Sequence, residues 1–270
     1  MTEPEWMAPD SLEEALALRA QHGDGATVLA GGTFLGILMN QGFLSPDAFL
    51  SLGRVDELRR VDVVDGELRL GAMVTHRRVE REAADGWPVL ARAFGLVASP
   101  RVRNQATVGG VLADADYASD PPAMLAALDA RAVLRSPRGD RTVSVAELIL
   151  GYYETCIEPD ELLVEVRVPA QPERATYRKF RSRSREDRPC AAVAAVNGEH
   201  GLRVVVGAVA ETPQDFPELC DGDPAAVGAR YAERIEPLSD SRGSAKYRRR
   251  IIAVEVERAV EAVSTREGAA

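Results

Sequence analysis

Amphipathic and continuously apolar stretches alternate over the first fifty or so residues. In "APDSLEEALALRAQHGDG", Leu12, Ala15, Leu16 and Arg19 fall on one helical stripe. Ser11 opens that helix as N-cap with Glu14 three residues on, the capping-box spacing, and Gly23 and Gly25 end it. "ATVLAGG" predicts a buried strand, "FLGILMNQGF" a helix and "AFLSLGRV" a second strand, so the chain opens on a β-α-β-like unit.

Apolar positions then alternate on either side of Asp65-Gly66 in "LRRVDVVDGELRLGAMVTHRRVER", the pattern of a hairpin with a tight turn. "WPVLARAFGLVAS" predicts a helix, and another starts at Pro121 and Pro122, where proline suits the first turn. "ELLVEVRVP" and "ATYRKFRSR" read as strands, with Pro169 ending the first. "CAAVAAVNGEHGLRVVVGAVAETP" predicts a hairpin around Asn197-Gly198, and "SAKYRRRIIAVEVERAVEAV" an amphipathic helix. Seams near residues 53 and 170 divide the chain into regions 1–53, 54–170 and 171–270, without internal repeats.

Length and composition narrow the class. A chain of 270 residues, 46% hydrophobic and 28% charged, has material for one large domain or two to three small ones. Aromatic residues are only 5%, too few for base-stacking platforms, and a net charge of -9 excludes a general binder of nucleic acid or anionic membrane. Cys156, Cys190 and Cys220 are widely spaced, with no CxxC pair, so inert thiols are expected and no iron–sulfur cluster. The start is acidic and lacks a signal-type apolar core, and no run approaches the roughly 18 apolar residues of a membrane span, so a cytoplasmic protein is expected.

Candidate chemistry centres on two double glycines. Gly31-Gly32 is followed by Thr33 in "VLAGGTFLG", and Gly109-Gly110 follows Thr107 in "NQATVGGV", where it is expected in a loop or strand turn. Bare backbone amides in such corners can cradle a diphosphate, with the hydroxyls as added donors, although each pair alone is also a plain tight turn. Neither matches GxGxxG or GxxxxGK[ST]. Asp114, Asp116 and Asp120 cluster in "DADYASDPP", but the glycine and terminal glutamate of a calcium loop are missing, and Asp120 suits the N-cap of the helix that follows. His22, His76 and His200 lie far apart, as structural or exposed histidines do, and Arg248 to Arg250 read as a solvated face. No nucleophile–base constellation accompanies them: the sites present are suited to holding a ligand.

Taken together, "AGGTFLG", "GAMVTH", "NQATVGGVLADADYASDPPAMLAALDA", "DELLVEVRVP", "YRKFRSRSREDRPCAAVAA" and "SAKYRRR" resemble, in order and spacing, the FAD-binding medium subunit of molybdenum hydroxylases. That family includes the carbon monoxide dehydrogenase medium subunit and the FAD domain of xanthine dehydrogenase. The resemblance runs from Val28 to Ile252 and implies an α+β fold: a two-part FAD-binding domain of vanillyl-alcohol-oxidase type, in regions 1–53 and 54–170, followed by a C-terminal domain of sheet and helices. By resemblance, Ala30, Gly31, Gly32, Thr33 and Phe34 form the first pyrophosphate loop, with Thr33 donating to phosphate. Thr107, Val108, Gly109, Gly110 and Val111 form the second, with the glycines against the pyrophosphate. Asp120 falls on the ribitol or adenosine part of FAD, and Leu163 and Lys179 on the flavin end.

Two departures stand out: Val111 replaces the family's usual asparagine, and Tyr117 stands where proline is common, with its ring expected near the flavin. The resemblance further implies a large molybdopterin-binding partner and a small partner with two [2Fe–2S] clusters, arranged as a dimer of heterotrimers, with electrons passing through FAD to NAD, a quinone or oxygen. A flavin-free assembly subunit and a free-standing flavin oxidase are the alternatives.

Overall fold

The computed structural model describes residues 3–172 and 174–264. Its first layer is a small parallel sheet with helices in the crossovers. Strand β1 (Glu5–Met7) leads to α1 (Leu12–His22), then β2 (Thr27–Leu29), α2 (Leu35–Asn40) and β3 (Ala48–Ser51), in the spatial order β1-β3-β2. Ser11 Oγ accepts the Glu14 amide as expected, whereas Glu14 reaches back to the Asp10 amide rather than to that of Ser11. Leu50, Leu52, Val55 and Ala15 pack this layer onto Val133 and Val164 of the next sheet.

The second unit is an antiparallel sheet flanked by helices. In chain order it comprises β4 (Val61–Val64), β5 (Glu67–Gly71), α3 (His76–Glu82), α4 (Pro88–Gly95), α5 (Pro100–Arg103), α6 (Val108–Ala113), α7 (Pro121–Ala127), β6 (Arg131–Ser136), β7 (Gly139–Ser144), α8 (Val145–Leu148), the short pair β8 (Ile149–Gly151) and β9 (Glu154–Thr155), and β10 (Leu162–Val168). The sheet order is β4-β5-β10-β6-β7. Asp65 and Gly66 turn the first hairpin with φ of 53° and 80°, the left-handed backbone that a two-residue turn requires. The largest core cluster, including Phe94, Leu112, Met124, Leu125 and Val166, fills the space between sheet and helices.

The third unit is a second antiparallel sheet, β11 (Arg174–Phe180), β12 (Ala191–Gly198), β13 (Gly201–Gly207) and β14 (Gln214–Asp215), covered by α9 (Pro224–Arg234) and α10 (Ala245–Ser264). The β12–β13 strands run through Asn197 and Gly198, and their register pairs Gly198 with Gly201, so the turn sits at Glu199-His200 rather than at Asn197-Gly198.

The arginine run on α10 is not a uniformly solvated face. Arg248 is fully buried, donating to Asp240 Oδ1 at 2.6 Å and to the Ala208 carbonyl. A buried guanidinium needs such partners, and the Asp240 turn supplies the anionic one. Cys190 and Cys220 are buried, Cys156 is half-buried, and all three are free thiols.

Candidate functional site

The β2–α2 corner and the start of α6 meet across the junction of the three units. A Cβ on Gly31 would stand 2.0 Å from the Gln105 carbonyl oxygen, and one on Gly110 would lie 3.9 Å from Ala30 Cβ. Gly31 is therefore glycine because another stretch of backbone presses on it, and Gly32, at φ +68°, because of its conformation. Between and around these corners lies a cleft of about 430 Å³, within the usual range of small-molecule sites. Ala30, Gly31, Gly32, Thr33, Phe34, Thr107, Gly109, Gly110, Val111, Asp120, Leu163 and Lys179 all line it, so twelve of the expected site residues converge on one space. Val108 does not line it: it is fully buried in the core behind the cleft.

The two glycine pairs play different parts. At the first corner the amides of Gly32, Thr33 and Phe34 meet no protein acceptor among the described residues, and neither does the Thr33 hydroxyl. At the second, Gly109-Gly110 occupies the opening turn of α6 instead of a loop, and its amides are taken. Gly109 N–H donates to the Ala72 carbonyl at 2.8 Å, Gly110 N–H to Thr107 Oγ1 at 3.1 Å and Val111 N–H to the Thr107 carbonyl at 3.0 Å. A Cβ on Gly109 would sit 2.6 Å from that of Ala72. Bare amides are thus found at the first corner only. The second pair lets α6 lie against the Ala72 backbone and brings the two corners together.

Asp120 stands at the N-cap position of α7, but its side chain caps nothing. Its Oδ1 accepts the Tyr177 hydroxyl at 2.7 Å and its Oδ2 the Lys179 ammonium at 2.8 Å, while Lys179 also donates to the Leu96 carbonyl at 2.9 Å. Both side chains are almost wholly buried. Burial pushes the Asp120 carboxyl up and the Lys179 amine down, each opposed by the other's charge, so the pair is held by mutual need in a dry wall of the cleft.

His76 was not distinguishable in the sequence from the other two histidines. Thr75 caps α3, and the buried ring stands in the wall of the cleft, edge-on to Phe94, with Nε2 3.2 Å from the Thr107 carbonyl. Burial drives its pKa down to about 4, so it is neutral, with Nε2–H as donor and Nδ1 a buried acceptor without a protein partner among the described residues. Asp114 is pushed up to about 7, first by desolvation and then by Asp116, with Arg188 opposing. Asp116 pairs with Arg188 at 2.8 Å, and the Arg188 guanidinium lies 5.7 Å from the Phe34 ring centroid. Tyr117 does not line the cleft: its hydroxyl donates to Asp240 at 2.9 Å and its ring packs edge-on to Tyr152. No three His, Cys, Asp or Glu side chains converge on a metal-sized site among the described residues.

Unsatisfied main-chain donors beside a glycine with positive φ, lining a cleft with one buried lysine, are the features of a site for an anionic small molecule. The chain belongs to the family of the FAD-binding domain in molybdopterin dehydrogenases, whose model matches residues 2–171, and it is an oxidoreductase subunit. The carbon monoxide dehydrogenase medium chain of Hydrogenophaga pseudoflava is 33% identical over 97% of both chains. The 6-hydroxypseudooxynicotine dehydrogenase complex subunit alpha of Paenarthrobacter nicotinovorans is 32% identical over 94% of this chain and 92% of its own. Among solved structures, the Hydrogenophaga carbon monoxide dehydrogenase superposes with a TM-score of 0.91, covering 97% of this chain and 98% of that one at 32% identity. Quinoline 2-oxidoreductase from Pseudomonas putida 86 gives 0.90 at 29% identity, covering 97% and 98%. The α+β fold and the flavoprotein resemblance are thereby established over nearly the whole chain.

Proposed function

We propose that this chain is the FAD-carrying, electron-transferring subunit of a molybdenum-containing hydroxylase or dehydrogenase, with regions 1–53 and 54–170 as the two parts of its FAD domain and 171–270 as a C-terminal docking domain. The observation that carries this reading is the strip of unengaged amides at Gly32, Thr33 and Phe34, facing the cleft that Lys179 and Asp120 close. These amides and the Thr33 hydroxyl would donate to the diphosphate oxygens, with Gly32 supplying the left-handed backbone at that corner.

When bound, FAD supplies a carrier that takes up electrons one or two at a time. Lys179, anchored by Asp120 and the Leu96 carbonyl, would stand at the flavin end, where its charge, partly offset by Asp120, would favour electron density on the ring. Leu163 would give that end an apolar surface that excludes water, as Val111 would at the second glycine corner.

The partners follow from the relatives. The relatives in carbon monoxide dehydrogenase and nicotine 6-hydroxylase are the medium chain or subunit, and the Hydrogenophaga structure is of an enzyme lacking the Mo-pyranopterin moiety of its molybdenum cofactor. We assign the molybdenum cofactor to a large partner and two [2Fe–2S] clusters to a small one, in a cytoplasmic dimer of heterotrimers, because three scattered cysteines cannot hold clusters. Electrons then pass from the clusters through this chain to NAD, a quinone or oxygen. Visible absorbance of the purified chain tests the reading: a yellow protein that releases FAD on acid treatment is expected. A colourless protein that takes up no FAD on incubation would make it an assembly subunit, and turnover of a small alcohol or amine by the chain alone a free-standing oxidase.

A further inference from the structure

Asp114 has no role in the site as built so far. It follows Gly110 by one helical turn, its amide bonded to the Gly110 carbonyl, and its side chain lines the cleft without an ion-pair or hydrogen-bond partner among the described residues. The neighbouring acids are each provided for: Asp116 has Arg188 and the Ala118 amide, and Asp120 has Lys179 and Tyr177. Only Asp114 of the three faces the ligand space with its proton unassigned.

We infer that Asp114 couples cofactor retention to pH: FAD is held with this carboxyl protonated, and its ionisation weakens binding. The inference rests on the FAD reading of the cleft. A bound dinucleotide brings two phosphate charges into a cleft whose free donors at the first corner are neutral amides, so a carboxylate lining the same cleft is repelled and its neutral form can donate instead.

The groups around Asp114 come from three elements. Asp116 on its own loop raises its affinity for a proton, and Arg188 from the β11–β12 loop lowers it. Tyr153 of the β8–β9 turn feels Asp114 as a repelling neighbour and stays protonated. Glu186 and Asp187 also line the cleft, and both add negative charge. Arg188 is already committed to Asp116 at 2.8 Å and stacked on Phe34, so it is not a dedicated counter-ion for Asp114. The resulting pKa of about 7 places the change near neutrality. Of the other cleft groups, His76 titrates well below this window, at about 4.

Linkage gives the size of the effect. If ionised Asp114 and FAD exclude one another, the Kd rises up to tenfold per pH unit above 7, while it is level below that pH. The experiment is titration of the full, flavin-stripped chain with FAD between pH 6 and 8.5, followed by flavin fluorescence, in wild type and Asp114→Asn. The expected result is a wild-type Kd that climbs by ten- to thirtyfold over this range and an Asp114→Asn Kd that stays low throughout. Riboflavin, which lacks phosphate, shows a much smaller slope. A pH-independent wild-type Kd, or the same slope in Asp114→Asn, overturns the inference. So does loss of FAD binding by Asp114→Asn at every pH, because the ionised carboxylate would then be the ligand-holding form. Absence of FAD binding by wild type at any pH is a different result: it overturns the FAD reading itself.

Discussion

Replacing Lys179 by methionine keeps most of the side-chain volume and leaves Asp120 without its cation. The lysine side chain is 1% exposed and the aspartate 4%, so water cannot take the lysine's place. Removing one partner of a buried pair costs about 3–5 kcal/mol. The Tyr177 hydroxyl remains bonded at 2.7 Å, and the carboxyl, already pushed up by burial, can take up a proton. Both effects place the loss near the lower end, about 3 kcal/mol. For a chain of this size that is a fall in Tm of about 6–12 °C. The deficit shrinks toward pH 5, where the orphaned carboxyl is more readily protonated. Asp120→Asn combined with Lys179→Met removes both charges and recovers most of the loss. The assay is thermal and urea unfolding of flavin-free protein at pH 5 and pH 8, since bound FAD would mask the difference. A single variant as stable as wild type at pH 8, or a double variant no better than the single one, refutes the account of a mutually dependent buried pair.

Further outcomes can be checked with the same preparations. Gly31→Ala drives its methyl into the Gln105 carbonyl at 2.0 Å, so it abolishes FAD retention and lowers Tm by several degrees; Gly36→Ala on α2, with open space around it, leaves FAD content at the wild-type level. His76, depressed from 6.5 to about 4, contributes stability at neutral pH that is lost as pH falls from 6.5 through 4. His76→Gln keeps a donor for the Thr107 carbonyl and flattens the plot of Tm against pH over that interval. Tyr117→Phe removes a half-buried hydrogen bond to a carboxylate, costing about 1–2 kcal/mol by urea unfolding, and leaves the flavin absorbance bands in place because the ring faces Asp240. In flavin-free protein, Asp114→Asn raises Tm at pH 8, and the gain shrinks as pH falls from 7 and is gone below about 4, because a carboxyl raised from 3.8 to about 7 by folding penalises the folded state only where the unfolded chain has released that proton.

Much of the architecture was legible because its signals are local. Asp65-Gly66 announces its hairpin, Pro121-Pro122 its helix, and the run from Leu162 to Val168 its strand, each through backbone preferences that the structure keeps. The gathering of both glycine corners, Asp120, Leu163 and Lys179 into one cleft came from the family pattern, since no periodicity places residues so far apart side by side. What failed depended on long-range partners. The engaged amides of Gly109 and Gly110 answer to Ala72 and Thr107, and the burial of Arg248 answers to Asp240 and Ala208. Asp120 reads as a cap until Tyr177 and Lys179 arrive on another strand. His76 and Asp114 carried no motif at all: their perturbed protonation comes from burial, which only the folded chain has.

The backbone crossing at Gly31 and Gln105 has a consequence for the order of biosynthetic events. The cleft draws on residues from Val28 to Arg188, so the ribosome must release more than two thirds of the chain before its last wall is present. The complete binding cleft is therefore a late product of synthesis, available only to a chain whose first and third units have already met.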